Sequence, residues 1–301
     1  MNRLRLLLSP TRPPFLILAP ACALLGAGAA YWSTGQINWF QLALVLIGAV
    51  AAHISVNAFN EYYDFKNGLD THTRPTPFSG GSGTLPQHPE LARATRLIAG
   101  GALAITAAIG VYFVGVRGWG ILPLGFLGVV LTYAYTRWLV YNPFICLMAP
   151  GTGFGLVMVL GTHYALTGSY TWTALVAALI PFFLVNNLLL LNQFPDVEAD
   201  RTARRKHFPI VLGCRASSFI YNLFLLLAYL AIIGGVALKY LPTTSLLGLG
   251  TLFLAIPAGR GAYRQADDIP RLIPVLGMNV LINLLTPLLV ALGLMLARLA
   301  A

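Results

Sequence analysis

Two acidic clusters stand 132 positions apart in a chain that is otherwise almost wholly apolar. The first reads Asn57-Ala-Phe-Asn60-Glu61-Tyr-Tyr-Asp64-Phe-Lys66-Asn-Gly68-Leu-Asp70, and the second Asn192-Gln-Phe-Pro-Asp196-Val-Glu198-Ala-Asp200. Six of the nine carboxylates lie in these two stretches, and each stretch closes a long hydrophobic run. Ionisable groups at membrane depth are costly and mark function by default. On a helix, residues three or four apart share a face. Asn57, Asn60 or Glu61, and Asp64 form one such stripe; Asn192, Asp196 and Asp200 form another. Mg²⁺ takes oxygen ligands, usually one or two carboxylates with water and substrate phosphate. Two clusters facing each other across a cavity suit two Mg²⁺ ions with a diphosphate between them. That arrangement neutralises charge on a departing pyrophosphate. A solvated helix end explains either cluster alone; it explains two on one side less well.

Cations flank both clusters: Lys66 and Arg74 after the first, Arg201, Arg204, Arg205 and Lys206 after the second. Arg forks match phosphate oxygens and Lys supplies a point charge. Arg137, between Tyr133 and Tyr141, is a candidate for pyrophosphate or for an acceptor carboxylate, and equally for a topology anchor. The segment Pro77-Phe-Ser-Gly-Gly-Ser-Gly-Thr84 is either a phosphate-cupping nest or a flexible connection. Asn186 and Asn187 sit inside an apolar run, where they line a cavity or bond a neighbouring helix. The five histidines lack metal-ligand spacing. Cys22, Cys146 and Cys214 form no CxxC pair, which speaks against a disulfide framework or a zinc site.

The elements that position these residues are membrane helices. Of 301 residues, 57% are hydrophobic and 9% charged, with a mean hydropathy of +0.76. A soluble domain carries roughly 25% charged residues. Nine apolar segments approach spanning length, at about 14–33, 40–60, 94–116, 119–136, 143–164, 171–191, 216–238, 244–259 and 273–297. The expected fold is therefore an all-α membrane bundle, with 1–301 as one domain. The segments are continuous rather than alternating, unlike a β-barrel. The N-terminal stretch resembles a signal peptide, but its prolines and its length predict an uncleaved first helix. Alternating the spans from a cytoplasmic N-terminus puts 16 basic residues on the cytoplasmic side and three, Arg117, Lys239 and Arg298, opposite. That asymmetry sets the orientation and places all nine carboxylates on the cytoplasmic face. The net charge of +10 thus reflects topology, contact with anionic lipid and an anionic substrate; it does not point to nucleic acid. Two long connections, about 61–93 and 192–215, carry the clusters and predict a functional lid. Asn60/Asp64 and Asn192/Asp196 also hint at an internal repeat.

These residues resemble the UbiA-type superfamily of intramembrane aromatic prenyltransferases. The resemblance covers most of the chain and implies nine helices, with a cytoplasmic-side cap formed by the loops after helices 2 and 6. Asn60-Glu61-x-x-Asp64 matches the first family motif, with Glu in place of Asp. The following Gly68-x-Asp70 spacing resembles the menaquinone branch, which prenylates 1,4-dihydroxy-2-naphthoate. Asn192-x₃-Asp196-x₃-Asp200 matches the second motif, and Gly161-Thr-His-Tyr-Ala-Leu-Thr-Gly168 is also similar to that branch. There are further departures: Arg204-Arg205 stand where a Gly-Lys pair is usual, Pro195 replaces an Arg, the segment Tyr133–Cys146 after helix 4 differs from the family's, and the acidic residue expected near Cys146 is missing. The resemblance implies a polyprenyl diphosphate donor, an aromatic acceptor and Mg²⁺. Asp64, Asp70, Asp196 and Asp200 would hold the metal, helped by Asn60 and Asn192. Lys66, Arg74, Arg137, Arg205 and Lys206 would hold the diphosphate; Asn57, Tyr133 and Tyr141 would line the acceptor cavity. Other acceptors (hydroxybenzoate, a haem, a chlorophyll precursor or a lipid) remain open. A transporter places its charges near the midplane, and a CDP-alcohol phosphotransferase gathers its acids into one motif. Neither pattern is present.

Overall fold

The computed structural model describes residues 3–71, 73 and 76–300. Among these described residues, eight helices are long and apolar enough to cross a membrane: α1 (Pro13–Thr34), α2 (Trp39–Lys66), α3 (Pro89–Arg117), α5 (Pro143–Thr167), α6 (Trp172–Asn192), α7 (Cys214–Ala237), α8 (Thr243–Arg264) and α9 (Ile269–Leu299). The fourth apolar segment forms a shorter helix, α4 (Trp119–Ala134). Polar side chains start several of these. Asn38 caps α2 by accepting from the Gln41 N–H, Asn142 caps α5 by accepting from Phe144 and Ile145, and Thr171 caps α6 through Ala174. Each supplies an acceptor to backbone donors that the first helical turn leaves unpaired.

Neighbouring helices pack in a ring, α2 against α3, α5 against α6, α6 against α7, and α9 against both α8 and α1. Helices α1 and α6 are the most enclosed, whereas α3 gives most of its surface to the outside. The main core joins α1 with α5 to α9 around Leu25, Ile180, Leu184, Tyr221, Leu276 and Ile282. In lipid, close backbone approach replaces the hydrophobic drive between helices. A Cβ on Gly26 would stand 2.5 Å from the Val159 carbonyl oxygen, so glycine lets α1 lie directly on α5. Asn186 and Asn187 serve the same packing. Asn186 accepts from the Gly151 N–H at 2.6 Å, and Asn187 donates to the Tyr221 carbonyl at 2.7 Å. Of their two sequence readings, the interhelical bond holds.

Two elements differ from the sequence expectation in ways that matter to the site. Helix α2 runs past its expected end through Asn57, Asn60, Glu61 and Asp64 to Lys66, and Asp70 follows on a separate 3-10 turn, Leu69–Thr71. The second motif does not ride on one helix. Helix α6 ends at Asn192, Pro195 follows in a turn, and a short helix, Val197–Thr202, begins after Asp196. Proline has no N–H and disfavours helical backbone in the residue before it, which breaks the run. The long connection 192–215 is therefore largely structured, with a second short helix at Phe208–Leu212. In α5, residues Thr152–Leu160 are wound as a π-helix that forms one wall of the cavity below. Wide turns of this kind are frequent at functional sites.

Candidate active site

One end of the bundle opens into a cavity of about 720 Å³ that holds both acidic motifs at its mouth. Along α2, Asn57, Asn60 and Asp64 face it together. Asn57 donates to the Thr11 carbonyl at 2.9 Å. Asn60 donates to Asp64 at 3.0 Å and to the Thr136 hydroxyl at 3.1 Å, and accepts from Arg12 at 3.0 Å. Glu61 is fully buried and points elsewhere. It accepts from Arg12 Nε at 2.8 Å, from the Ser82 N–H at 2.7 Å and from the Ser82 hydroxyl at 2.8 Å. The longer Glu thus ties the N-terminal segment and the glycine-rich loop to α2.

Arg205 joins the two motifs. It pairs with Asp64 and donates to Asp200 Oδ1 at 3.0 Å, although Asp64 lies 141 positions away. Arg204 makes this possible by taking a left-handed backbone, φ 58°, which turns Arg205 back into the cavity. Burial works against the Arg205 charge, and the two carboxylates more than offset it, so its pKa is raised. His207 Nε2 lies 2.9 Å from the second oxygen of Asp200.

Asp70 and Asp196 are placed differently. Burial, then the nearby charges of Asp64 and Glu61, push the Asp70 carboxyl up to about 8. Burial and the neighbouring Asp200 push Asp196 up to about 7, against hydrogen bonds from Ser79 and the Gly80 backbone. Asp70 Oδ2, Asp196 Oδ1 and Asn192 Oδ1 are buried with no hydrogen-bond partner among the described residues. Buried acceptors are rarely left so. Three orphaned hard oxygens beside carboxyls with raised pKa values fit a divalent cation, which would supply the missing positive charge. No preformed cluster of three or more such side chains at metal-binding distance exists among the described residues. Ligation would therefore need small movements, beginning with Arg205.

The glycine-rich loop closes over this group, and Ser79, Gly80 and Gly81 line the cavity. Gly81 has φ 75°, and a Cβ there would lie 3.2 Å from Glu61 and 3.3 Å from Asp70. Only glycine satisfies both conditions. Farther in, Tyr135, Cys146 and Gln193 meet, with Gln193 Nε2 3.3 Å from the Cys146 sulfur. Beyond them the walls turn apolar between α3, α4 and α5, and lining residues such as Val111 and Phe126 are largely exposed on the outer face of the bundle.

The remaining sequence candidates lie elsewhere. Lys66, Tyr133, Arg137 and Tyr141 line a separate cleft of about 460 Å³, and Lys206 is exposed. Arg74 falls outside the described residues. Arg12, Tyr135 and His207 are cavity residues that sequence reading did not single out as site residues. Arg12 resembled a topology anchor, and no local pattern distinguished it. His207 carried a signal in its basic and acidic neighbours.

A helical bundle with paired acidic motifs at the mouth of an apolar cavity is the arrangement of an intramembrane enzyme. The UbiA prenyltransferase family profile matches residues 19–273, and the chain belongs to that family. It is similar to a 1,4-dihydroxy-2-naphthoate octaprenyltransferase of Bacillus subtilis (strain 168), 27% identical over 74% of this chain and 71% of that one. A protein of the same name from Mycobacterium leprae (strain TN) is 29% identical over 89% of each. Among solved structures, a UbiA homolog from Aeropyrum pernix K1 superposes with a TM-score of 0.71 at 16% identity, covering 94% of this chain and 97% of that chain. One from Archaeoglobus fulgidus bound to GPP and Mg²⁺ gives 0.59 at 14% identity, covering 98% and 100%. The likeness to these structures supports the shared fold, and the protein is an integral membrane prenyltransferase.

Proposed function

We propose that the protein transfers a polyprenyl group from polyprenyl diphosphate to an aromatic acceptor, 1,4-dihydroxy-2-naphthoate, as in menaquinone biosynthesis. The observation that carries this reading is the meeting of two distant acidic motifs, with orphaned oxygens on Asp70, Asp196 and Asn192, above an apolar cavity. The acceptor rests on the activity for which the Bacillus and Mycobacterium relatives are named and on the Gly68-x-Asp70 spacing. The proposed unit is the full chain, 1–301. It has nine spans with α4 as a short member, the site on the cytoplasmic side of a bacterial inner membrane, and a cap formed by the loops after α2 and α6.

Asp64, Asp70, Asp196 and Asp200, helped by Asn60 and Asn192, would hold Mg²⁺, which supplies charge neutralisation for the diphosphate as it leaves. Among the described residues, Arg12 and Arg205 are the cavity cations able to bind the diphosphate oxygens, and Arg74 stays with them as a proposed contact. Lys66, Arg137 and Lys206 are not part of the proposed diphosphate set, because they face away from this cavity. In the reaction the bond between the allylic C1 and the diphosphate oxygen breaks, and the electron pair leaves with pyrophosphate. The electron-rich ring carbon then attacks the allylic cation, forming the C–C bond, and the ring loses its carboxylate as carbon dioxide. The apolar wall of α3, α4 and α5 holds the tail and keeps water from the cation. Asn57, Tyr135, Cys146 and Gln193 border the space left for the acceptor.

The test is a prenyl-transfer assay in membranes containing the chain, with labelled polyprenyl diphosphate, Mg²⁺ and either dihydroxynaphthoate or hydroxybenzoate. A prenylated naphthoquinol that disappears with EDTA is the expected product. A hydroxybenzoate product alone would overturn the acceptor, and no donor turnover by folded protein would overturn the activity.

A further inference from the structure

The second cleft lies on the opposite face of α2 from the acidic motif. Lys66 follows Asp64 by two residues, about 200° around a helix. Lys66 and Tyr62 from the end of α2 meet Arg96 from the start of α3, Tyr133 from the end of α4, and Arg137 and Tyr141 from the connection after it. Three helix ends therefore contribute to one hollow of about 460 Å³. It contains three cations and no acidic side chain among its lining residues. None of the three cations forms a salt bridge with a carboxylate among the described residues.

The guanidinium groups are held by aromatic faces rather than by counter-ions. Arg137 lies 4.9 Å from the Trp138 ring centre and 5.8 Å from that of Tyr133, and donates to the Tyr133 hydroxyl at 2.6 Å. Arg96 lies 5.8 Å from the Tyr62 ring centre. Stacking of this kind fixes the plane of a guanidinium while leaving donor edges free. Such an arrangement suits a tetrahedral oxyanion.

The surroundings decide what carries the anion. Trp138, whose ring carries the cleft residue Arg137, is 56% exposed, and Phe144 and Ile145, three and four positions after the cleft residue Tyr141, are 62% and 43% exposed. They follow one end of α4 and open α5, where aromatic side chains mark the membrane–water boundary. A free ion gains nothing from those apolar surfaces, whereas the acyl chains of a lipid lie along them. We propose that this cleft is a lipid-binding site, separate from the reaction cavity, that takes the phosphate group of an anionic membrane lipid.

The test is native mass spectrometry of the full chain in detergent, titrated with phosphatidylglycerol, with phosphatidylcholine, and with phosphatidylglycerol in the presence of inorganic phosphate. The double variant Arg96→Gln/Arg137→Gln is compared with Arg260→Gln/Arg264→Gln, which removes equal charge elsewhere. Loss of two lipid-facing cations should weaken the first phosphatidylglycerol bound by about 10–30-fold, and the comparison pair should change it less than about twofold. Equal weakening in both pairs would reduce the site to general surface charge and overturn it. Equal binding of phosphatidylcholine would also overturn it, as would displacement of the lipid by millimolar phosphate, which would mark a site for the free ion. If the double variant does not fold, Arg96→Gln alone carries the same comparison.

Discussion

Replacing Arg205 by Gln separates what holds the apoprotein together from what binds substrate. The guanidinium bridges Asp64 and Asp200, which are 7% and 5% exposed. At an effective dielectric of about 20, each close contact is worth about 4 kcal/mol of gross attraction. Much of that is cancelled by the cost of burying the charge, but removing one partner leaves the others uncompensated, at about 3–5 kcal/mol. Arg205→Gln should therefore lower the melting temperature in EDTA by on the order of 10 °C. The same substitution frees Asp64 and Asp200 for a cation, so Mg²⁺ should raise the variant's melting temperature more than the wild type's. Turnover should stay at least about 100-fold low even when Mg²⁺ has restored stability, because a donor to the diphosphate is gone. The assay is thermal unfolding of purified protein in detergent across a Mg²⁺ titration, paired with prenyl transfer. An unchanged melting temperature in EDTA would refute the bridging role. Equal stabilisation of both proteins by Mg²⁺ would refute the idea that Arg205 holds carboxylates a cation would otherwise take.

Without metal, stability should fall as pH rises. Asp70 and Asp196 titrate near 8 and 7 when folded and near 3.9 when unfolded, so the folded state binds protons more tightly. Their contribution is full below about pH 4 and is lost progressively up to about pH 8. Mg²⁺ should flatten that slope, since ligation needs the ionised form; melting curves in EDTA between pH 5 and 9 that stay level would refute this. Asp64→Asn and Asp196→Asn should each cut prenyl transfer by at least about 100-fold, measured by product formation, and unchanged turnover would remove them from the metal set. Glu61→Ala should destabilise the protein by about 3–5 kcal/mol through the stranded Arg12, read by denaturant unfolding. Arg204→Gly should keep stability within about 1 kcal/mol, whereas Arg204→Val should lower it by about 1–2 kcal/mol, because only glycine takes φ 58° without strain.

How much was legible in the sequence follows from which forces are local. Membrane helices write themselves in runs of apolar residues, so eight of the nine expected spans could be read directly, with the fourth segment a shorter helix, and the family motifs pointed to Asp64, Asp196 and Asp200, which share one cavity. The helix break at Pro195 was also written there, but the i, i+4 spacing of Asn192, Asp196 and Asp200 imitates a helical stripe. Cations were the weak point. A membrane protein carries many Lys and Arg at one end for topology alone, and flanking position does not distinguish a residue that turns inward from one that does not. Lys66 follows the first motif by two residues, and helix geometry sends it to the far side of α2. Arg12 lies 48 positions from Asn60 and still donates to it. Arg205 reaches inward only because its neighbour accepts a left-handed backbone, a cost that has no signature in residue type. The two proposed anion sites thus share α2 and differ in partners. On one face the cations Arg12 and Arg205 are committed to Glu61, Asp64 and Asp200, so a diphosphate must compete with carboxylates for them unless a divalent cation takes their place. On the other face Arg96 and Arg137 rest on aromatic rings and face no such competition. If both proposed sites hold, that difference predicts metal-dependent diphosphate binding in the cavity and metal-independent anion binding in the outer cleft.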